Sequence, residues 1–554
     1  MNPMRMLLLS ACLFMGGAAQ AANEVLPGGG IDAEALERHV RTLASDAFEG
    51  RAPATPGEDK TIAYLSEQFR LAGVQPAGDD GGWTQAVPLV RAQVDGPVTA
   101  TLRVAGAAQA LVNGEDVVLQ SLHPGSKVVL KDAPLVFVGY GIHAPERGWD
   151  DYKGVDLKGK IAVMLINDAD FETPQPGAFD GRAVTYYGRW TYKYEEAARQ
   201  GAAGVLIVHE TAPAAYGWAT VKSSGLSPLL DIERSDAQAR AQHVPVHGWM
   251  QRALAVSLFQ RAGLDFEAEK KRAQRADFRP QALGDAALSV RLALKRERVV
   301  THNVVAKLEG ATHPHETVIY SAHWDAFGIG AADASGDRIR RGAVDNATGV
   351  ASVLELARVF AAGPRPQRTL YFLALTAEEK GLLGATYYAA HPLAPLATTV
   401  AVINSEMFSP DGATRDIASW GRGRVSLERD LAAAAQARGR AYAPDPNLEA
   451  GFFYRADHFA FARAGVPAIT VGPGLDKLDG GVAAGKAIRD RYFAGCYHQP
   501  CDRWSASWDP AGHAADTLLL YDLGQRLADS REWPRWDDGS EFKPARDASE
   551  AARR

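Results

Sequence analysis

Residues 370–381 read LYFLALTAEEKG, and this stretch indicates the fold class of the chain. The run over 370–375 is apolar without alternation, which is typical of a strand buried on both faces of a parallel sheet. Two carboxylates, Glu378 and Glu379, follow directly. In α/β folds the carboxyl ends of the strands open into the ligand crevice. The stretch therefore predicts a buried strand that delivers two acidic side chains to a functional site.

The alternation of strand and helix continues on both sides of this stretch. Strand-like runs occur over 317–320, 400–403 and 468–471, and helical runs over 347–361, 382–390, 426–437 and 514–528. Strands that alternate with helices favour a mostly parallel sheet with helices on both faces. We therefore predict an α/β catalytic region over residues 291–530.

The rest of the chain has different patterns of apolar and turn residues. Apolar residues at helical spacing over 32–75 predict helices in a segment, 22–90, that we assign to the same catalytic unit. Over 91–290, short apolar runs alternate with turns rich in Gly and Asp, which predicts a β-rich insert with a helix at about 194–200. Residues 531–554 are polar, and we predict a loose tail there.

Residues 1–21 have the pattern of a secretory signal peptide. Arg5 precedes an apolar run over 6–19, and residues 19–21, Ala-Gln-Ala, offer a small-residue cleavage site. The run is too short to span a bilayer. A buried core helix is one alternative, and the lipobox-like sequence that ends at Cys12 leaves a lipid-anchored form as another. We expect an exported protein, periplasmic or extracellular.

The charge of the chain limits its possible binding partners, and its cysteines allow a disulfide. The 554 residues include 60 Lys and Arg against 66 Asp and Glu, so the net charge is -6 and no basic field exists for nucleic acid. After the leader, no segment is apolar and long enough to be transmembrane. Cys496 and Cys501 remain beyond the leader, and in an oxidising compartment we expect a local disulfide rather than two free thiols. No sequence feature specifies an oligomeric state.

Four clusters of potential ligands follow predicted strands or precede a helix. They are His323 with Asp325, Asp345 with Asn346, Glu378 with Glu379, and the pair of segments that contain Glu406 and Tyr497-His498. Singly, each has a structural explanation, such as a solvated Glu or a hydrogen-bonded His. For Asp345, a helix N-cap and a carboxylate bridging two cations are equally open. Together, imidazole and carboxylate ligands without thiolates suit Zn²⁺, or a similar divalent ion, in a catalytic site.

In this order, the motifs His-x-Asp, Asp-Asn, Glu-Glu, Asn-x-Glu-Met and Tyr-His resemble the co-catalytic zinc exopeptidases of clan MH, metallopeptidase family 28. The resemblance includes the early residues 48–51 (FEGR). Residues 136–141 (VFVGYG) and 149–152 (WDDY) resemble the protease-associated (PA) domain that many members insert into their catalytic unit. The resemblance implies a three-layer α/β/α core with a mixed, mostly parallel sheet, and a PA-like insert over 91–290. It also implies a secreted aminopeptidase that acts on peptides with two Zn²⁺ per chain.

The resemblance further implies roles for individual residues. Five residues would be metal ligands. Asp345 would bridge two zinc ions. His323 and Glu406 would also bind the first zinc, and Glu379 and His498 would also bind the second. Glu378 would be the general base, Asp325 would orient His323, and Tyr497 would stabilise the oxyanion. Glu406 departs from the commonest family pattern, which has Asp at that position, so its side chain is one methylene longer.

Three other functions stay open. A carboxypeptidase of the glutamate type would need a cationic pocket, to which Arg340, Arg341 and Arg455 could contribute. A glutaminyl cyclase is a one-zinc relative, and the full set of five ligands argues against it. A receptor-like homologue without catalysis would have lost ligands, and only Glu406 deviates.

Overall fold

The computed structural model describes residues 30–175, 178–179, 181–421 and 424–553. The predicted signal peptide, with Cys12, lies outside these residues. The described helices are α1 (Ala33–Leu43), α2 (Pro56–Ala72), α3 (Trp190–Arg199), α4 (Thr211–Ala214), α5 (Trp218–Gly225), α6 (Asp236–Gln242), α7 (Arg252–Arg261), α8 (Phe266–Ala273), α9 (Thr348–Ala362), α10 (Leu383–Ala390), α11 (Leu427–Ala437), α12 (His458–Arg463), α13 (Gly481–Gly495), α14 (Ala511–Asp529) and α15 (Lys543–Ala548).

The described strands begin with a set that precedes residue 310: β1 (Gln75–Pro76), β2 (Thr84–Val104), β3 (Ala107–Leu111), β4 (Val117–Gln120), β5 (Lys127–Phe137), β6 (His143–Ala144), β7 (Trp149–Asp150), β8 (Ile161–Leu165), β9 (Gly204–His209), β10 (Leu229–Ile232), β11 (Val246–Gln251) and β12 (Gln281–Leu308). The strands that follow are β13 (His313–His323), β14 (Gly328–Ile329), β15 (Ile339–Arg340), β16 (Arg368–Leu375), β17 (Thr399–Ser405), β18 (Asp416–Ser419), β19 (Ala441–Ala443) and β20 (Ala468–Pro473).

The strands that precede the candidate ligands are neighbours in one sheet. The order is β18-β20-β17-β13-β16-β12. Strands β13, β16, β17 and β20 run parallel, whereas β12 pairs antiparallel with β16, and β18 pairs antiparallel with β20. Tyr320 in β13 lies opposite Phe372 of β16 and Ile403 of β17. The carboxyl ends of these strands therefore meet at one edge, and the predicted α/β class with a mixed, mostly parallel sheet is confirmed.

Helices cover this part of the sheet and explain its apolar strands. Helices α9 and α14 pack against β13 and β16, while α12 packs against β17 and β20 and contacts α10. Tyr320 and Phe372 are buried, and their rings stack at 5.8 Å between centroids. Each fully buried large apolar side chain stabilises the fold by about 1.5–3 kcal/mol. Because the strand is buried on both sides, polar and apolar residues do not alternate over 370–375.

A second apolar core lies in the β-rich region. It contains Phe137 and Phe259, whose rings are 5.1 Å apart, and it is separate from the core around Phe372. The long strand β12 joins the two regions, because Val304–Leu308 pairs with β16 while residues 281–293 pair with β5. The predicted boundaries at residues 90 and 290 thus fall inside β2 and β12. The separate core agrees with an insert, and its identity as a PA domain stays a prediction.

Residues 531–553 do not form the loose tail that the sequence predicted. Trp536 and Phe542 are buried in the catalytic core, with ring centroids 4.9 Å apart. The Trp536 indole Nε1 donates to the carbonyl oxygen of Gly465 at 2.9 Å. Two aromatic side chains therefore anchor a segment whose average composition is polar.

Arg51 ties the N-terminal segment to the loop that precedes Asp345. Its guanidinium is fully buried and donates to the carbonyl oxygens of Trp324 (2.8 Å), Leu43 (2.6 Å), Arg341 (2.6 Å) and Gly342 (2.8 Å). Burial lowers its pKa to about 10, with nearby carboxylates such as Asp502 opposing, so it stays charged at neutral pH.

We expect Arg51→Met to lower the free energy of unfolding by about 3–5 kcal/mol, because buried carbonyl groups lose a charged donor. Urea denaturation measures this. The matched control is Arg38→Met, whose side chain is 55% exposed, and it should change the stability by less than about 0.5 kcal/mol. Equal stability of the two variants would contradict the structural role of Arg51.

His247 in β11 links stability to pH. Its ring lies 4.7 Å from that of Tyr194, and burial lowers its pKa from 6.5 to about 3, with His243 adding to this effect and Asp231 opposing it. The unfolded chain therefore binds a proton that the folded chain excludes, so stability is complete above pH 6.5 and is lost as the pH falls below that value. Between pH 7 and pH 5 we expect His247 to contribute a loss of about 2 kcal/mol.

The variant His247→Phe tests this expectation, since it keeps a buried ring without the titration. Its free energy of unfolding should fall less steeply than that of the wild type between pH 7 and pH 5. Parallel pH profiles would show that His247 is not kept neutral by the fold.

Within the described part of the chain, no helix combines the length and hydropathy that a bilayer crossing requires.

Candidate active site

Neighbouring strand ends and two loops converge on one cluster of side chains. Strand β13 ends at His323, and Glu378 and Glu406 follow β16 and β17. The loop before α9 contributes Asp345, and the loop after α13 contributes His498. The structure brings together every predicted ligand and the predicted base, in three groups whose ligand atoms lie within 4.8 Å of one another: His323, Asp345 and Glu406; Asp345, Glu379 and His498; His323, Glu378 and Glu379.

Asp345 lies between the two histidines. Its Oδ1 is 3.2 Å from His323 Nε2, and its Oδ2 is 3.2 Å from His498 Nε2. Helix α9 begins at Thr348 and has no side-chain cap, so Asp345 is not an N-cap. Each carboxylate oxygen faces a different imidazole, which is the arrangement that a bridging ligand requires.

The remaining carboxylates complete the two groups. Glu406 Oε1 lies 3.7 Å from His323 Nε2, and Glu379 Oε2 lies 3.2 Å from His498 Nε2. Asn404 Nδ2 donates to the other oxygen of Glu406 at 3.0 Å. The longer side chain of Glu406 therefore reaches the cluster and is held there by an amide.

Unsatisfied polar atoms indicate what the cluster can bind. His323 Nε2, His498 Nε2 and Glu379 Oε1 are buried and, among the described residues, have no hydrogen-bond partner. Buried polar atoms in proteins are almost always satisfied, so these atoms are free for coordination. Imidazole and carboxylate donors without thiolates are the set that catalytic Zn²⁺ sites use. The residues present therefore fit metal ions.

The electrostatics of the cluster agree with a bound cation. Burial raises the pKa values of Glu378, Glu379 and Glu406 above the usual range, and neighbouring carboxylates raise them further. Burial opposes the ionisation of Asp345, but His323 and His498 outweigh it and lower its pKa. Several carboxyl groups in a dry site repel one another unless a positive charge lies between them.

Asp325 positions two parts of the site. Its carboxylate accepts hydrogen bonds from the backbone N–H groups of Glu378 (3.0 Å) and Glu379 (3.3 Å). His323 Nδ1 lies 3.1 Å from the Asp325 carbonyl oxygen and 3.7 Å from its carboxylate. The closer contact of His323 Nδ1 is thus to the backbone carbonyl of Asp325 rather than to its carboxylate.

Asp502 is a site residue that sequence analysis missed. Its carboxylate accepts from the backbone N–H groups of Val344 (2.9 Å) and Asp345 (3.2 Å), and from the Tyr492 hydroxyl (3.1 Å). These bonds hold the turn that presents Asp345. The only signal in the sequence was its position next to Cys501.

Tyr497 and the β-rich region contribute to the wall of a cleft beside the cluster. The Tyr497 ring stacks on His498 at 3.6 Å between centroids. Burial raises its pKa well above the ordinary value, so its hydroxyl stays protonated and can donate a hydrogen bond. The cleft has a volume of about 1910 Å³ and is lined by Glu378, Tyr497 and, from the β-rich region, Phe171, Trp190 and Tyr216.

A disulfide encloses Tyr497 and His498. Cys496 and Cys501 are bonded, with their Cα atoms 5.1 Å apart, so the predicted disulfide is confirmed. The bond closes a short loop around a residue that faces Asp345 and Glu379. It therefore restricts the positions that the His498 imidazole can adopt.

We expect Cys496→Ser combined with Cys501→Ser to weaken metal binding at the group of Asp345, Glu379 and His498 about tenfold or more, which is typical when a residue that orients a ligand is lost. Titration of metal-free protein against a chelating indicator measures both affinities. Metal binding at the group of His323, Asp345 and Glu406 should stay as in the wild type, which serves as the internal control. An unchanged second affinity would show that the loop holds His498 without the disulfide.

Comparisons with known proteins give similarities in sequence and in fold. The family model described as Peptidase family M28 matches residues 303–521. A probable zinc metalloprotease of Pyrenophora teres f. teres (strain 0-1) is 40% identical over 104 residues, 19% of this chain and 22% of that protein. Carboxypeptidase Q of Rattus norvegicus is 32% identical over 119 residues, 19% of this chain and 23% of that protein. The chain thus matches less than a quarter of the length of these curated relatives.

Among solved structures, an aminopeptidase from Aneurinibacillus sp. strain AM-1 is similar over 90% of this chain and 94% of its own, with 20% identity and a TM-score of 0.51. At this level of identity, the likeness concerns the fold alone.

Proposed function

Residues 303–521 match the model of Peptidase family M28, and from this match we propose that the protein is a secreted metallo-aminopeptidase that removes N-terminal residues from peptides with two Zn²⁺ per chain. The observation that carries the proposal is the position of Asp345, whose two oxygens lie 3.2 Å from two different histidines. A single metal ion would need only one of these contacts.

The two groups that share Asp345 would each hold one zinc. His323 and Glu406 would complete the first site, and Glu379 and His498 the second. Bound zinc would supply Lewis-acid activation of the substrate carbonyl and of a nucleophilic water. The chain's own residues would then orient the substrate and move its protons.

Glu378 is the best candidate for the general base. Its Oε2 lies 3.9 Å from His323 Nε2, it lines the cleft, and the bond from its N–H to Asp325 fixes its backbone. It would accept a proton from the attacking water and return it to the leaving amine. A raised pKa suits a group that acts first as base and then as acid.

Tyr497 would stabilise the developing negative charge. Its protonated hydroxyl can donate a hydrogen bond to the oxyanion, and its stacking on His498 limits its movement. The carboxylates around the cluster would attract a free α-amino group, which favours cleavage next to a peptide N-terminus. Export would follow from the leader predicted over residues 1–21.

Aminopeptidase activity is tested with protein that lacks residues 1–21, supplied with zinc. We expect release of p-nitroaniline from leucine p-nitroanilide, loss of the activity with a chelator, and recovery when zinc is restored. N-acetylated peptides with free C-termini should be inert. Cleavage of the acetylated peptides alone would favour a carboxypeptidase, and no turnover of either class by zinc-loaded protein would overturn the proposal.

A further inference from the structure

The turn that carries Glu378 has a strained backbone. Ala377 and Leu382, on either side of the 3₁₀ turn Glu378–Lys380, have φ angles of 52° and 59°. This left-handed region is unfavourable for residues that have a Cβ, and such conformations persist only where the surrounding contacts impose them. The position of the Glu378 carboxylate therefore depends on the groups that hold the two ends of the turn.

Asn303 contacts both ends of this turn. Its side chain is fully buried, and it lies in β12, the strand that returns from the β-rich region. Its Oδ1 accepts from the Thr376 N–H at 3.0 Å, and its Nδ2 donates to the Gly384 carbonyl oxygen at 3.1 Å. The Gly384 N–H also donates to the Thr376 carbonyl oxygen at 3.0 Å. One buried amide thus joins the two ends of segment 376–384.

The Asn303 amide is itself held in one orientation. Its Nδ2 also donates to Gln85 Oε1 at 3.0 Å, and Gln85 Nε2 donates to the His391 carbonyl oxygen at 2.7 Å. A Cβ on Gly384 would lie 2.5 Å from Asn303 Oδ1 and 2.3 Å from the Thr376 carbonyl oxygen, so a side chain there would collide with both. A buried amide with satisfied donors and acceptor, in a tightly filled space, is a rigid support.

We propose that Asn303 is a positioning residue for Glu378: by joining the ends of the strained turn, it fixes the direction in which the carboxylate of this base points. The inference rests on the role proposed for Glu378. A displacement of about 1 Å can cost an enzyme about 100-fold in rate, even when the altered residue lies away from the chemistry. Since Gln85 lies in β2 and Asn303 in β12, the two strands that continue into the β-rich region take part in placing the base.

Asn303→Ala tests the proposal in zinc-saturated protein with leucine p-nitroanilide as the substrate. We expect kcat to fall about 10–100-fold while KM changes less than about threefold, because the base is misplaced and the substrate site is not. The milder variant Gln85→Met removes one acceptor of the Asn303 amide and should give the same split between kcat and KM with a smaller loss. A wild-type kcat in Asn303→Ala would overturn the proposal.

The matched control is a buried hydrogen bond at the other end of the sheet. Thr317 Oγ1 lies 3.0 Å from Thr399 Oγ1, between β13 and β17 and away from their carboxyl ends. Thr317→Val should therefore lower stability but keep kcat within about twofold of the wild type. An equal loss of kcat in Thr317→Val and Asn303→Ala would contradict a specific role of Asn303.

A double-mutant cycle distinguishes positioning of the base from general damage to the site. In the Glu378→Gln background, Asn303→Ala should lower kcat further by less than about twofold, since no base remains to be misplaced. An equal loss in both backgrounds would show that Asn303 acts on the metal ions or on the fold, and would overturn the proposal.

Hydrogen exchange separates this inference from the proposed function. Asn303→Ala should raise the amide exchange rate of residues 377–384 about tenfold or more, because the turn loses contacts that impose its backbone, and Thr317→Val should not. Faster exchange in a protein that hydrolyses no peptide would refute the peptidase but support Asn303 as the residue that holds the turn. Hydrolysis that requires Glu378, with exchange and kcat unchanged in Asn303→Ala, would refute the positioning role alone.

Discussion

Replacing Glu378 with Gln is expected to lower kcat by about 10²–10⁴-fold, the usual contribution of a general base. The amide has almost the same shape as the carboxylate but cannot accept the proton. The backbone N–H of residue 378 would still donate to Asp325, so the turn should keep its conformation. The steady-state rate on leucine p-nitroanilide measures the loss, and zinc content should stay at the wild-type level.

The matched control for this variant is Glu195→Gln. Glu195 lines the same cleft but pairs with Arg463 and lies outside the metal cluster. Its replacement should change kcat by less than about threefold, since surface charge pairs contribute little. If Glu378→Gln kept more than a tenth of the wild-type kcat, another group would have to be the base.

Replacing Asp345 with Ala is expected to weaken both zinc ions together. Each oxygen of Asp345 faces one histidine, so each site would lose a charged ligand at once. We expect both dissociation constants to rise by more than about 100-fold, above the range seen when only an orienting partner is lost. Zinc stoichiometry after dialysis, measured by atomic emission, reports this effect.

Single-site variants make the test of Asp345 specific. Glu379→Ala should release only the second zinc, and Glu406→Ala only the first, because each belongs to one of the two groups that share Asp345. Retention of one tightly bound zinc by Asp345→Ala would show that Asp345 is a terminal ligand of one site rather than a bridge.

Much of the catalytic region could be predicted because its signals are local. The apolar run over 370–375 is a strand that neighbours cover on both sides, and the helical run over 347–361 corresponds to α9. The ordered motifs predicted five ligands, and the structure brings these five residues together, while their role as metal ligands stays a prediction. Local periodicity and motif order were sufficient here, since each ligand lies at or just after a strand end or in a loop beside a helix.

The remaining features depend on contacts between distant residues. The spacing around Asp345 suited a helix cap equally well, and only the folded chain places His323 and His498 on its two oxygens. Because the segment after residue 530 is polar on average, its composition did not predict that Trp536 and Phe542 are buried.

The central claim is that two metal ions share Asp345. Its most direct test is a crystal structure of the zinc-loaded protein with anomalous data collected on both sides of the zinc absorption edge. The account predicts two zinc peaks, one on each side of the Asp345 carboxylate, with His323 contacting one and His498 the other. A single peak, or two peaks that do not share Asp345, would contradict it.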